Sequence, residues 1–142
     1  PLLTPQKIPV LKFLRTMNRS AGSKEHNGIV EINKKSIAGY CALSKKTISI
    51  EDCYALPDDL PYRFNPENDR QANYCTKSLL TLPMVSAQGQ VRGVIQILNK
   101  LSEAGLESVT EGHIPLEHVI SFDAEDEELM RVFASQAAVA IE

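Results

Sequence analysis

Apolar and polar positions separate most clearly in the second half of the chain. In SLLTLPMVSAQGQVRGVIQILNK (78–100), two apolar, β-branched runs flank a short link, Ala87 to Gln90, that contains Gly89. This pattern predicts a β-hairpin with 78–86 and 91–99 as adjacent central strands, since a brief Gly-containing link lets the chain reverse and pair. The final stretch, FDAEDEELMRVFASQAAVAIE (122–142), predicts a helix over about 123–142. Asp123 is placed to cap it, and Asp126, three residues on, to return the capping bond. Glu125, Asp126, Glu127 and Glu128 load the first turns with the charge that the helix dipole favours there. Leu129, Val132, Phe133, Gln136, Ala137 and Ala140 form one stripe, which Met130, Ala134 and Ile141 widen. That arc is broader than contact with a single sheet requires, and the alanines in its second half allow close approach of a neighbour.

The first half gives weaker signals. VLKFLRTMN (10–18) alternates and predicts a strand, while RSAGSKEHNG (19–28) predicts a polar, mobile turn. SIAGYCALSKK (36–46) predicts a short helix capped by Ser36, with Ile37, Tyr40, Cys41, Ala42 and Leu43 at near-helical spacing. TISI (47–50) is a β-branched strand running into the acidic turn EDCY. ALPDDLPYRFNPEN (55–68) is a long loop of the kind that closes over a binding site, and 101–121 is polar and irregular. Strand, short helix, strand, long loop, hairpin and helix together predict an α/β (α+β) domain: a central antiparallel β-sheet flanked by helices. Nothing repeats.

With 142 residues, 43% of them hydrophobic, the chain suits one domain around one core. A net charge of −3 leaves no broad basic surface to neutralise a nucleic-acid backbone, and the doublets Lys34-Lys35 and Lys45-Lys46 are solvated turn residues on this reading. No apolar run reaches the roughly 18 residues of a membrane span. Cys41, Cys53 and Cys75 are odd in number and lack C-x-x-C spacing, which argues against a disulfide framework and for a reducing, cytoplasmic setting. His113 and His118 lie in an irregular stretch far from His26, and no Cys or Asp set completes a metal site with them. Phosphate-loop and nucleophile-elbow motifs are missing.

The strand of 90–100 ends awkwardly, on an amide and a cation, Asn99 and Lys100. Followed by Phe122, three residues and Asp126-Glu127, they spell N-K-(n)-F-x-x-x-D-E. This resembles the signature of GAF domains, the small-ligand sensor modules of cyclic-nucleotide phosphodiesterases, some adenylyl cyclases and many bacterial signalling proteins. SIAGYCALSKKTISIEDCY, YCTKSLLTLPM, GQVRGVIQILNK and QAAVAIE also resemble successive stretches of the family, so the likeness covers about Ile37 to Glu142. It implies a GAF/PAS-like fold in which Lys100 and Asp126 tie the strand end to the last helix, with Asn99, Phe122 and Glu127 as further signature positions. It also implies a helix and a first strand ahead of anything like VLKFLRTMN. Residues 1–142 are then one GAF-like sensor domain, incomplete at its N-terminus, with its terminal helix leading to an output domain.

In members of the phosphodiesterase type the ligand lies between the sheet and the loop-rich middle segment. The resemblance therefore implies a pocket bounded by Ile37, Ala38, Asp52, Phe64, Arg70, Tyr74, Thr76 and Gln96, with the backbone at Ile37 and Ala38 facing an anion. Phe64, Tyr74 and the loop between them form its lid. Where binders of cyclic GMP often read D-x-x-T-G-Y-x-T, RQANYCT is read as placing Arg70 for the acid and Ala72 for the first Thr. Gln96 replaces a Glu. These departures weigh against a cyclic nucleotide, and the ligand stays open between a cyclic nucleotide, another small molecule and none. Arg70 is either a clamp for phosphate or carboxylate or a solvated cation. The function implied is a regulatory sensing module of a larger signalling protein, such as a cyclic-nucleotide or cyclic-dinucleotide phosphodiesterase, a cyclase or a sensor kinase, working as a homodimer through terminal helices and not itself an enzyme. The alternatives are an enzyme like the free methionine sulfoxide reductases, which use pocket cysteines, and a ligand-free dimerisation module. Cys75 stands closer to Pro83 than the reductase pattern allows.

Overall fold

The computed structural model describes residues 10–12, 15–18, 22–25, 29–31, 33–109 and 113–141. Four short strands come first: β1 (Val10–Lys12), β2 (Arg15–Asn18), β3 (Gly22–Glu25) and β4 (Ile29–Glu31). β1 pairs antiparallel with β4, Val10 opposite Glu31, and β2 pairs with β3, Arg15 opposite Glu25. The single strand expected over 10–18 is thus divided between two ladders. Part of the turn expected over 19–28 is strand β3, whose sequence GSKE has no apolar residue and so no period to read.

Helix α1 (Ile37–Ser44) starts where expected, with Ser36 Oγ accepting from Gly39 N–H at 3.0 Å and donating to the Asn33 carbonyl at 2.9 Å. Gly39 is needed at this close approach, because a Cβ there would stand 1.9 Å from the Asn33 oxygen. Lys45 ends the helix at φ 58°. After β5 (Ile48–Ile50), Asp52 caps a 3₁₀ turn at Cys53–Ala55. The long loop then gives way to α2 (Glu67–Ala72), a helix the sequence reading missed because its six residues, ENDRQA, carry no apolar stripe.

β6 (Leu79–Val85) and β7 (Val91–Leu98) form the expected hairpin, with Leu80 opposite Ile97 and Leu82 opposite Ile95. Its turn places Gly89 at φ 80°. β5 adds to the other edge of β6, giving an antiparallel sheet in the order β5–β6–β7. The stretch 101–121, expected to be irregular, holds β8 (Lys100–Leu101), α3 (Glu103–Glu107) and β9 (Val119–Ile120), with β8 and β9 paired. Elements of two to five residues are too short to show a period.

The sheet is covered on both faces. Leu79, Ile48 and Ile50 pack with Ile37, Cys41 and Cys53 beneath α1 and the loop, where Tyr40, Leu56, Tyr62 and Phe64 close the cluster. On the opposite face Leu80 and Leu82 pack against Ala134 of α4 (Ala124–Ile141), with Ile95, Ile97, Phe122 and Met130. The line of α4 that meets the sheet runs through Met130, Ala134 and Ala138. Much of the expected stripe does not: Leu129 is 69% exposed, Val132 53% and Phe133 55%. Small residues let the helix lie close on β6, so the bulky ones are left on its outer side. Among the described residues, no helix is long and apolar enough to cross a membrane.

Candidate functional site

Asn99 follows β7 in the left-handed region, φ 55°, which asparagine tolerates better than most side chains. Its carboxamide is saturated. Oδ1 accepts from the backbone N–H of Lys77 at 2.7 Å and Ser78 at 3.2 Å, while Nδ2 donates to Tyr74 Oη at 2.9 Å and the Cys75 carbonyl at 2.8 Å. One side chain therefore reads the whole strap of residues 74–78 that leads into β6, and it is buried while doing so.

Lys100 continues the junction. Its N–H donates to Ser78 Oγ at 3.1 Å, and its ammonium pairs with Asp123 at 3.0 Å and with Asp126. The two aspartates also form the expected reciprocal cap: Asp126 N–H donates to Asp123 Oδ1 at 2.9 Å and Asp123 N–H to Asp126 Oδ2 at 2.8 Å. Hydrogen bonds to Asp126 and then Asp123 raise the Lys100 pKa, and the Asp126 N–H followed by Lys100 lowers that of Asp123. Phe122 packs on the α4 face of the sheet. Glu127 instead approaches Arg131, 3.9 Å away one turn along the helix.

Asp69 of α2 joins the chain segments on either side of it. It is 7% exposed. Its Oδ2 accepts from Tyr54 Oη and from Thr76 N–H, both at 2.7 Å, and its Oδ1 accepts from Thr76 Oγ1 at 2.7 Å. Tyr54 stacks edge-on against Phe64, ring centroids 5.1 Å apart. The bond to Asp69 pushes the Tyr54 phenol up to about 12. Sequence reasoning overlooked both Asp69 and Tyr54. Counted back from Tyr74, the acid of D-x-x-T-G-Y-x-T falls on Asp69, not Arg70, and its Gly falls on Asn73, which holds φ 50°. The acid treated as lost is present.

The other expected site residues divide. Ile37 is in the core under the loop, Ala38 is half-buried, and Asp52 Oδ1 accepts from Tyr54 N–H at 3.0 Å. Tyr74 and Thr76 are the strap residues already placed. Arg70 is exposed, with its guanidinium 3.7 Å from the Glu67 carboxylate. Gln96 is exposed and donates from Nε2 to Thr81 Oγ1 at 3.3 Å. The cross-strand register puts this pair on the sheet face that α1 covers. Burial pushes the Cys41 and Cys53 thiols up to about 12. The Cys75 thiol is also raised, by burial first and then by the carboxylates of Asp69 and Asp52. All three are thiols, not thiolates, at neutral pH.

Comparison with known proteins gives one family. A model of the GAF domain matches residues 13–141. The dual 3',5'-cyclic-AMP and -GMP phosphodiesterase 11A of Takifugu rubripes is 31% identical over 107 residues, which is 75% of this chain and 10% of that protein. A probable 3',5'-cyclic phosphodiesterase, pde-5, of Caenorhabditis elegans is 29% identical over 137 residues, 91% of this chain and 16% of that protein. The chain thus spans a small part of the curated relatives it matches. Among solved structures, a methyl-accepting chemotaxis protein (residues 122 to 287) superposes with a TM-score of 0.55 at 19% identity, covering 80% of this chain and 58% of that one. The type II free methionine-R-sulfoxide reductase of Thermoplasma acidophilum gives 0.52 at 17% identity, covering 93% and 74%. At such identities the likeness concerns the fold.

Proposed function

The chain belongs to the GAF domain family, and from that premise we propose that it is the small-ligand-sensing, regulatory part of a larger cytoplasmic signalling protein whose catalytic or output domain lies elsewhere in the sequence. The observation that carries the reading is the junction at Asn99 and Lys100. There the 74–78 strap and the first turn of α4 are held by consecutive residues, so the same turn of chain touches the proposed binding side and the terminal helix. The proposed site lies between the sheet and the 52–76 segment, bounded by Ile37, Ala38, Asp52, Phe64, Tyr74, Thr76 and Gln96. The outer face of α4 is proposed to meet a second copy.

The raised cysteine pKa values support a binding role over thiol chemistry, since an attacking sulfur must be a thiolate. Thermal unfolding against a panel of cyclic nucleotides, purine nucleosides and small carboxylates tests the reading. A saturable rise in Tm that Gln96→Ala weakens supports it. Turnover of free methionine sulfoxide in the presence of a thiol reductant replaces it with an enzyme. Failure of every ligand, together with a dimer mass, replaces it with a ligand-free dimerisation module.

A further inference from the structure

We infer that Asp69 is the latch of a lid spanning residues 53–72, and that the latched lid sets the hold on the first turn of α4 through Tyr74, Asn99 and Lys100. A buried carboxylate ordinarily needs a cation or a full set of donors. Asp69 has the donors: the Tyr54 hydroxyl on one side and the Thr76 amide and hydroxyl on the other. It is therefore the point where three separate segments meet, namely the 3₁₀ turn, α2 and the strap. One arm of the latch is accessible, since Tyr54 is 53% exposed. The other arm faces inward, where Thr76 is buried.

From the strap the path is short. The Tyr74 N–H donates to the Asp69 carbonyl at 2.9 Å, and the Tyr74 hydroxyl accepts from Asn99. Asn99 binds the amides of Lys77 and Ser78, and Ser78 Oγ accepts from the Lys100 N–H. The Lys100 ammonium then grips both aspartates of the α4 cap. Opening the latch frees Thr76, loosens the register that Asn99 reads and so weakens the cap. This deepens the sensor reading: an occupant that favours one setting of Tyr54 over the other biases α4 by its differential affinity for the two.

Hydrogen exchange on the full chain, without ligand, tests the coupling separately from any binding. Tyr54→Phe removes a single bond from an exposed ring. It should speed exchange of the Asp69-bound Thr76 amide and of residues 99–101 and 123–127 about two- to tenfold, the range a single hydrogen bond's net worth allows. The hairpin turn at 86–90 should be unchanged. Lys100→Met must in turn speed exchange at 53–56 and 74–78 by a comparable factor, since coupling between sites is reciprocal. Asp69→Ala should show the same pattern more strongly. The proposal falls if the Tyr54→Phe effect stops at residue 78, or if Lys100→Met leaves the 53–56 turn as in the wild type. It also falls if Asp69→Ala loosens the whole sheet evenly while Tyr54→Phe is silent. Loss of this coupling would leave the sensor reading standing, and a failed ligand panel would leave the coupling standing.

Discussion

Asn99 and Tyr74, twenty-five residues apart, are joined by a hydrogen bond of 2.9 Å from the asparagine amide to the tyrosine hydroxyl. The bond exists because β7 is followed by a left-handed residue, Asn99, whose side chain turns back across the start of β6 instead of onward with the chain. A glycine could make the turn. Only an asparagine makes the turn and also supplies two acceptor sites and two donors to the strap.

Asn99→Gly should therefore keep the backbone and lose the side-chain bonds, destabilising the domain by about 2–4 kcal/mol in chemical denaturation. Asn99→Ala loses the same bonds and adds the cost of a left-handed Cβ, about 1 kcal/mol more. Equal stability of the two variants would show that the φ of 55° carries no strain for alanine.

Lys100 should contribute across a defined pH window. Its pKa is raised in the folded state, so its contribution is complete below the ordinary value of 10.5 and is lost as pH climbs through the folded value. Asp123 is lowered, so its contribution is complete above the ordinary 3.8 and is lost as pH falls through the folded value. Lys100→Met should lower Tm at neutral pH, with the deficit shrinking at high salt and at the alkaline end. A deficit unchanged by salt and alkali would mean that packing of the stem, not the charge, is what Lys100 provides.

How much of this was legible follows from the length of each signal. The hairpin and α4 have runs of seven or more residues with a clear period, and both appear as read. The Lys100–Asp126 tie came from a spaced signature, and it too is present. Which side of that wide arc on α4 meets the sheet was not legible, because hydrophobicity ranks Leu129 and Phe133 above Ala134 and Ala138, whereas close approach to β6 selects the small side chains. Asp69 stayed hidden because its partners, Tyr54 and Thr76, come from segments on either side of it that only the folded loop brings together.

Cyclic GMP and cyclic AMP should bind no tighter than about 10 μM by calorimetry. The reason differs from the one the sequence offered. An acid is present, but Asp69 is buried and three protein donors already engage its two oxygens, so little of it is left for a purine edge. Ala72 still lacks a hydroxyl, and Gln96 presents an amide. Micromolar or tighter binding, lost in Asp69→Asn, would mean that the lid hands this carboxylate to the ligand.

The outer face of α4 gives the last prediction. Met130, Ala134 and Ala138 satisfy the sheet, which leaves Leu129, Val132, Phe133, Val139 and Ile141 each more than half exposed along one helix. Ala124, Glu125, Glu128, Leu129 and Val132 also line a shallow concavity there. A helix apolar over two arcs needs two surfaces, and the matching helix of a second copy has the same pattern. The full-length protein should therefore give a dimer mass by light scattering at about 50 μM, and Leu129→Glu with Val132→Glu should shift it to monomer. Because both residues are exposed in one copy, that pair should change the unfolding of the isolated domain by less than about 1 kcal/mol. Leu80→Ala, wholly inside the sheet, should cost about 2–5 kcal/mol. A monomer for the unaltered protein, or a dimer that survives both glutamates, would place the contact between copies somewhere other than α4.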